Sequence, residues 1–213
     1  TEYLAGLSAN KAGRTDRAID HFQRARAADP NRVEYTLHLG LAQFNAGRED
    51  AARASFVVVT RMNPDNALAW GMLAQIALRS GDRGSAIEFI ETARELDPSS
   101  VVWRVVEADA LVMRDADRAA ELLSRIPADE LPVPYGLNVA RKVFGVTGRF
   151  ADAARFHAHA SDAAPGDAAL AIETADLFDR AGNREEAIRY ARRAQAAGDE
   201  GAARMLARLE DGG

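Results

Sequence analysis

The sequence predicts an all-α solenoid of about six helix–turn–helix units closed by a short C-terminal capping helix, the 213 residues forming a single elongated domain. Three observations carry this. Gly81, Ala86, Ile90, Ala93 and Pro98 stand at offsets 0, 5, 9, 12 and 17, and the same offsets give Gly47, Ala52, Phe56, Val59 and Pro64, then Gly13, Ala18, Phe22, Ala25 and Pro30. The period is 34 residues, the length of a stacked helical hairpin. Apolar residues recur at helical spacing on both sides of each glycine, as with Leu37, Leu41 and Phe44 before Gly47 and Ala52, Phe56 and Val59 after it.

The elements follow in order. Glycine supplies the tight exit from each first helix, and proline sits where the next first helix has not begun. Thr15 and Glu49–Asp50 place polar or acidic groups at the starts of second helices, where unpaired amides favour them. The expected units are 1–32, 33–66, 67–100, 101–133, 134–167 and 168–200, with a cap over 201–209. The fourth unit is one residue short, with Arg114 in the glycine slot followed by Ala119, Leu123 and Ile126. The fifth returns to register at Gly148, Ala153, His157, Ala160 and Pro165, and the sixth at Gly182, Ala187, Ala191 and Ala194. The cap turns Ala202, Leu206 and Leu209 inward, and the tail from Glu210 to Gly213 is expected to fray.

Ser124 to Pro134, SRIPADELPVP, carries three prolines and breaks the period. Proline cannot sit unstrained in a helix interior, so this connection is either a longer inter-unit turn or a kink over 124–134. Arg141, where other units place Gly40, Ala74 or Ala175, and Gly145 weaken the helix that follows.

The motif set resembles the tetratricopeptide repeat (TPR) family of bacterial type. The third unit matches its pattern with Trp70, Leu73, Ala74, Ala77, Gly81, Ala86, Ile90, Ala93 and Pro98, and the second with Leu39, Gly40, Gly47, Ala52, Phe56 and Pro64. Glycine landmarks spaced 34, 34, 67 and 34 extend the match along the chain, weakening from Arg104 to His157. The resemblance implies a right-handed superhelix whose first helices line a concave, protein-binding face. Carried onto this sequence, that face includes Leu37, His38, Leu41, Phe44, Asn45, Met72, Gln75, Leu78, Arg79, Val106, Asp109, Val112, Met113 and Tyr135. Its apolar members, with Val105, either form a continuous exposed strip that marks a binding surface or pack within and between helices. On the first reading, Leu41→Asp or Met72→Asp abolishes partner capture while the chain stays helical. A two-carboxylate clamp of the kind some members use is not matched: Tyr3 and Leu7, Leu37 and Leu41, or Gly71 and Gln75 stand at its positions. Asn138 with Lys142 resembles it only in inverted order.

Composition narrows the chemistry. Hydrophobic residues at 47% and charged residues at 28% describe an ordinary folded chain, and a net charge of −5 runs against a nucleic-acid partner. There is no cysteine, hence no disulfide, thiolate metal site or thiol catalysis. His157 and His159 point to different faces of one helix, poor geometry for a metal, and His157 takes the seam position of Phe22 and Phe56. No nucleophile elbow or phosphate loop occurs, and the basic run Arg189 to Arg193 reads as a solvated face. No cofactor and no metal are expected. No signal peptide or membrane-length apolar run is found, which leaves the cytoplasm and periplasm open and any membrane association to regions outside the chain.

The leading expectation is a non-enzymatic scaffold that holds a protein or peptide segment with aliphatic side chains. Alternatively the repeats belong to a larger bacterial assembly, envelope or biosynthetic protein whose catalytic or membrane domain they position. Thr1 is not an initiator methionine, which is expected of a processed product or fragment, and the Ala- and Arg-rich composition goes with a GC-rich bacterial source. Self-association into a homo-oligomer is a third alternative.

Overall fold

The computed structural model describes residues 1–211, and among them are thirteen α-helices, one short 3-10 turn (Ala128–Glu130) and no strand. The chain divides into two compact units, one ending at Val106 and one starting at Glu107. In the first unit, α1 (Glu2–Lys11) pairs with α2 (Thr15–Ala28), α3 (Val33–Asn45) with α4 (Glu49–Met62), and α5 (Ala67–Arg79) with α6 (Arg83–Leu96). Helix α7 (Val101–Leu111) runs across the division. The second unit continues with α8 (Ala116–Ser124), α9 (Tyr135–Thr147), α10 (Phe150–Ala163), α11 (Ala168–Arg180), α12 (Arg184–Ala196) and α13 (Ala202–Asp211).

The periodic glycines make the turns. Gly47 has φ +71°, and after it Arg48 N–H donates to the Gln43 carbonyl at 2.8 Å while Gly47 N–H donates to Phe44 at 3.0 Å. That pair of bonds closes a Schellman exit, which an L-residue at position 47 would strain. Arg114 cannot take that conformation cheaply. There α7 stops at Leu111, and Asp115 N–H turns back to the Leu111 carbonyl at 2.7 Å. Asp115 then caps α8 by accepting from Arg118 N–H, as Asn66 caps α5 and Asp82 caps α6.

In the first unit each hairpin is closed by a small residue on its first helix facing a large one on its second. A Cβ added at Gly6 would come within 2.6 Å of the Phe22 ring, and one at Gly40 within 2.9 Å of Phe56. Phe56 also reaches forward, packing with Val59, Ala69, Met72, Leu73 and Ile76 into the seam between α4 and α5. Ala74 with Ile90 repeats the device with a methyl group traded across the pair. In the second unit, α13 lays Leu206 and Leu209 against Ala187, Tyr190 and Ala191 of α12.

The expected fraying at the C-terminus is corrected in part. Glu210 and Asp211 belong to α13, because Arg184 donates to the Glu210 carbonyl and Arg192 pairs with its carboxylate at 2.9 Å. Gly212 and Gly213 lie outside the described residues. The proline-rich stretch forms the 3-10 turn and then seats Leu131 against the bare backbone of Gly136, where a Cβ would come within 2.7 Å of Leu131 Cγ.

Candidate functional site

In the first unit the face expected to bind is carried by α3 and α5. Leu37, Leu41 and Phe44, spaced i, i+4 and i+7 on α3, lie on one helix side. They pack against the buried cluster yet keep part of their surface exposed, and Leu78 of α5 is likewise half-buried. The Arg79 guanidinium lies 4.1 Å from the Phe44 ring centroid and is held there by Glu49 at 3.2 Å. Asn45 is exposed and Gln75 half-buried, so polar groups flank the apolar row. His38 stands at the end near α1, its Nδ1 2.9 Å from the Glu34 carbonyl and 3.3 Å from the Tyr3 hydroxyl, with the Tyr3 ring edge-on to it.

Three members of the expected strip are corrected. Met72 is 7% exposed, Val106 0% and Val112 2%, and Val105 is buried with them. Met72 belongs to the cluster around Phe56, so Met72→Asp would place a carboxylate in the core and report on folding rather than on capture. The strip is therefore interrupted at these positions.

The remaining members lie in the second unit. Asp109 accepts from the Tyr135 hydroxyl at 3.0 Å and from Lys142 Nζ at 2.6 Å, which ties α7 to α9. Lys142 is thereby committed to a carboxylate of its own chain, which weakens its reading as part of a clamp. Met113, in the turn just past α7, is 72% exposed.

The second unit also contains an open cleft of about 570 Å³ that the repeat register did not reveal. Its wall is the proline-rich segment, with Leu131 and Val133, and its other sides come from Leu137 and Asn138 of α9, Phe156, His159 and Ala160 of α10, and Leu170 and Glu173 of α11. The one sequence signal for it was the break in period at 124–134.

His157 lies behind this cleft, fully buried, with Nδ1 3.1 Å from the Ala153 carbonyl and Nε2 3.8 Å from Glu173. Burial pushes its pKa below the usual imidazole value; the Ala153 carbonyl and Glu173 oppose this, and Arg141 adds to it. An imidazole depressed in the folded state is neutral there and takes up a proton more readily when unfolded. Its share of stability is present above the unfolded value of about 6.5 and is lost as pH falls through the folded one. The melting temperature should therefore drop more steeply on acidification in the parent than in His157→Leu. Identical slopes between the two would remove this role.

The basic run on α12 is largely ion-paired. Arg189 meets Glu186, Arg192 meets Glu210, and Arg193 meets Asp162 at 2.7 Å and donates to the Ser161 carbonyl. The Tyr190 hydroxyl between them is pushed up to about 12, chiefly by burial and then by its hydrogen bond to Asp162. These arginines are satisfied by their own chain, which leaves little unpaired charge for an anion. Among the described residues no cluster of three or more histidines and carboxylates is placed to hold a metal ion, and no helix is long and apolar enough to cross a membrane.

Comparison with known proteins places this architecture. Two family models, each described as tetratricopeptide repeat, match residues 9–76 and 52–101. Among curated proteins, cellulose synthase operon protein C of Komagataeibacter sucrofermentans is 27% identical over 106 residues, covering 49% of this chain. The aligned region is 8% of that relative, so the chain corresponds to a small part of its length. A tetratricopeptide repeat protein from Parabacteroides merdae superposes with a TM-score of 0.64 over 98% of this chain and 97% of its own, at 13% identity. A crystal structure of an APC/C hetero-tetramer superposes with a TM-score of 0.73, covering 98% of this chain and 42% of that one, at 14% identity. At such identities the structural likeness speaks for the fold alone. Residues 9–101 match tetratricopeptide-repeat models, and the helical pairs that follow carry an all-α repeat fold on to α13.

Proposed function

We propose that this chain is a non-enzymatic scaffold that holds a segment of another protein against the α3–α5 face. The observation that supports it most is the half-exposed row Leu37, Leu41 and Phe44, joined by Leu78 and edged by Asn45, Gln75 and Arg79. Covering such apolar surface yields roughly 25 cal/mol per Å² before the costs of association, and the polar edge sets register. An extended or helical segment with aliphatic side chains has the matching chemistry. A photo-crosslinking phenylalanine analogue placed at Asn45 should trap a partner from a lysate of the source organism. The same probe at Ala54, exposed on α4, should not. Trapping of the same protein from Ala54 alone would move the contact off this face.

The match to cellulose synthase operon protein C favours a second, compatible reading, in which the repeats position a catalytic or membrane domain within a longer bacterial protein. Reading the encoding gene on both sides of these codons tests it. A frame continuing into such a domain supports this reading, and stop and start codons at the two ends oppose it.

A further inference from the structure

We propose that the cleft of the second unit is a separate docking site for a peptide segment of another protein, one that presents an aliphatic or aromatic side chain flanked by lysine or arginine. This goes beyond the α3–α5 reading and does not depend on it, since the cleft is built entirely from residues of the other unit.

The shape argument starts from side-chain size. Ala160 and Ala163 on α10 and Ala169 on α11 leave space that a larger side chain would have filled, and Leu131, Leu137 and Phe156 give that space an apolar lining. The lining is fixed rather than adaptable: Leu131 is held against Gly136, and Phe156 stacks on Phe144 with centroids 6.2 Å apart. A cleft of about 570 Å³ falls within the roughly 300–1,000 Å³ range of ligand-binding clefts. Being open to solvent, it admits a chain that enters and leaves.

Charge selects the flanks. Among the described residues lining the cleft, Asp129, Asp167 and Glu173 are acidic, Asn138 and His159 are polar, and none is lysine or arginine. Arg141 offsets part of Glu173 at 4.0 Å, the Arg155 guanidinium lies 4.3 Å from the Phe156 ring centroid, and Asp167 uses one carboxylate oxygen to cap α11 at Leu170 N–H, so three carboxylates face two guanidiniums. Asp129 is exposed on the rim. The rim therefore carries a net negative field, which attracts a basic segment, repels an acidic one and weakens with salt.

The probe is a random peptide library displayed on phage, selected against the purified chain and, in a separate parallel selection, against Ala163→Arg. Ala163 and Ala169 are both exposed, so Ala163→Arg and Ala169→Arg should each fill the cleft and reduce its negative charge without disturbing the core. Enriched peptides should combine leucine, isoleucine, valine or phenylalanine with lysine or arginine. Each arginine variant should weaken them about tenfold, a loss on the scale of one interface anchor. Asp129→Lys should weaken them by a smaller factor that shrinks as salt is added. Matching thermal melts of parent and variants verify that folding is unchanged.

Acidic or uncharged consensus sequences would overturn the proposal, as would failure to enrich any peptide over the Ala163→Arg control. Peptides that lose binding on Leu41→Asp but keep it on both arginine variants belong to the α3–α5 face and also overturn it. A parent that light scattering shows to be a dimer, with Ala163→Arg a monomer, would assign the cleft to a second copy of this chain instead.

Discussion

Phe56→Ala is expected to lower the stability of the first unit by about 3–5 kcal/mol, read as an earlier urea midpoint by circular dichroism. The ring is 0% exposed and serves two contacts at once, closing its own hairpin against Gly40 and filling the seam toward α5. Truncation therefore opens a cavity that rigid helices on both sides cannot collapse. Gly40→Ala tests the same contact from the other partner. Alanine would gain up to about 1 kcal/mol of helix propensity, but its methyl group would lie 2.9 Å from the ring, and overpacking of this kind costs about 1–3 kcal/mol. The net effect should be a loss. In the Phe56→Ile background the same Gly40→Ala change copies the Ala74–Ile90 pair and should become neutral or favourable. Penalties that simply add in the double variant would mean that glycine and ring are not coupled.

Much of the fold was legible because the device that builds each hairpin leaves its mark at fixed spacing. Gly13, Gly47, Gly81, Gly148 and Gly182 all adopt the positive φ that their register demanded, and Phe22, Phe56, Ile90 and His157 are all buried. The proposed binding face was less legible. On or beside a helix lying between two neighbours, the positions turned toward a groove and those turned into the next helix differ by one residue. Met72, Val106 and Val112 fell on the inner side of that boundary, while Leu41 and Phe44 straddle it. The second-unit cleft was least legible, because it is made by a departure from the repeat. The prolines of 124–134 announce an irregular connection, but that Leu131 folds back onto Gly136 and leaves a space before Ala160 depends on tertiary packing.

The functional account rests most heavily on Leu41. It lies in the middle of the apolar row on α3, half-buried, so its exposed surface is available to a partner while its base leans on the core. An aspartate there would put an unpaired charge where a partner's aliphatic side chain is expected. Desolvating that charge on complex formation would cost several kcal/mol, enough to reduce affinity by about a hundredfold or more. Val58→Asp makes the matching control, since Val58 is an apolar residue 39% exposed on α4, outside the proposed face.

The most direct measurement is the affinity of the partner trapped from Asn45 for the parent, Leu41→Asp and Val58→Asp, with helicity and melting temperature recorded for each. The account predicts near-complete loss of binding in Leu41→Asp, parental binding in Val58→Asp, and helical content unchanged in both. Parental affinity in a folded Leu41→Asp variant would contradict it.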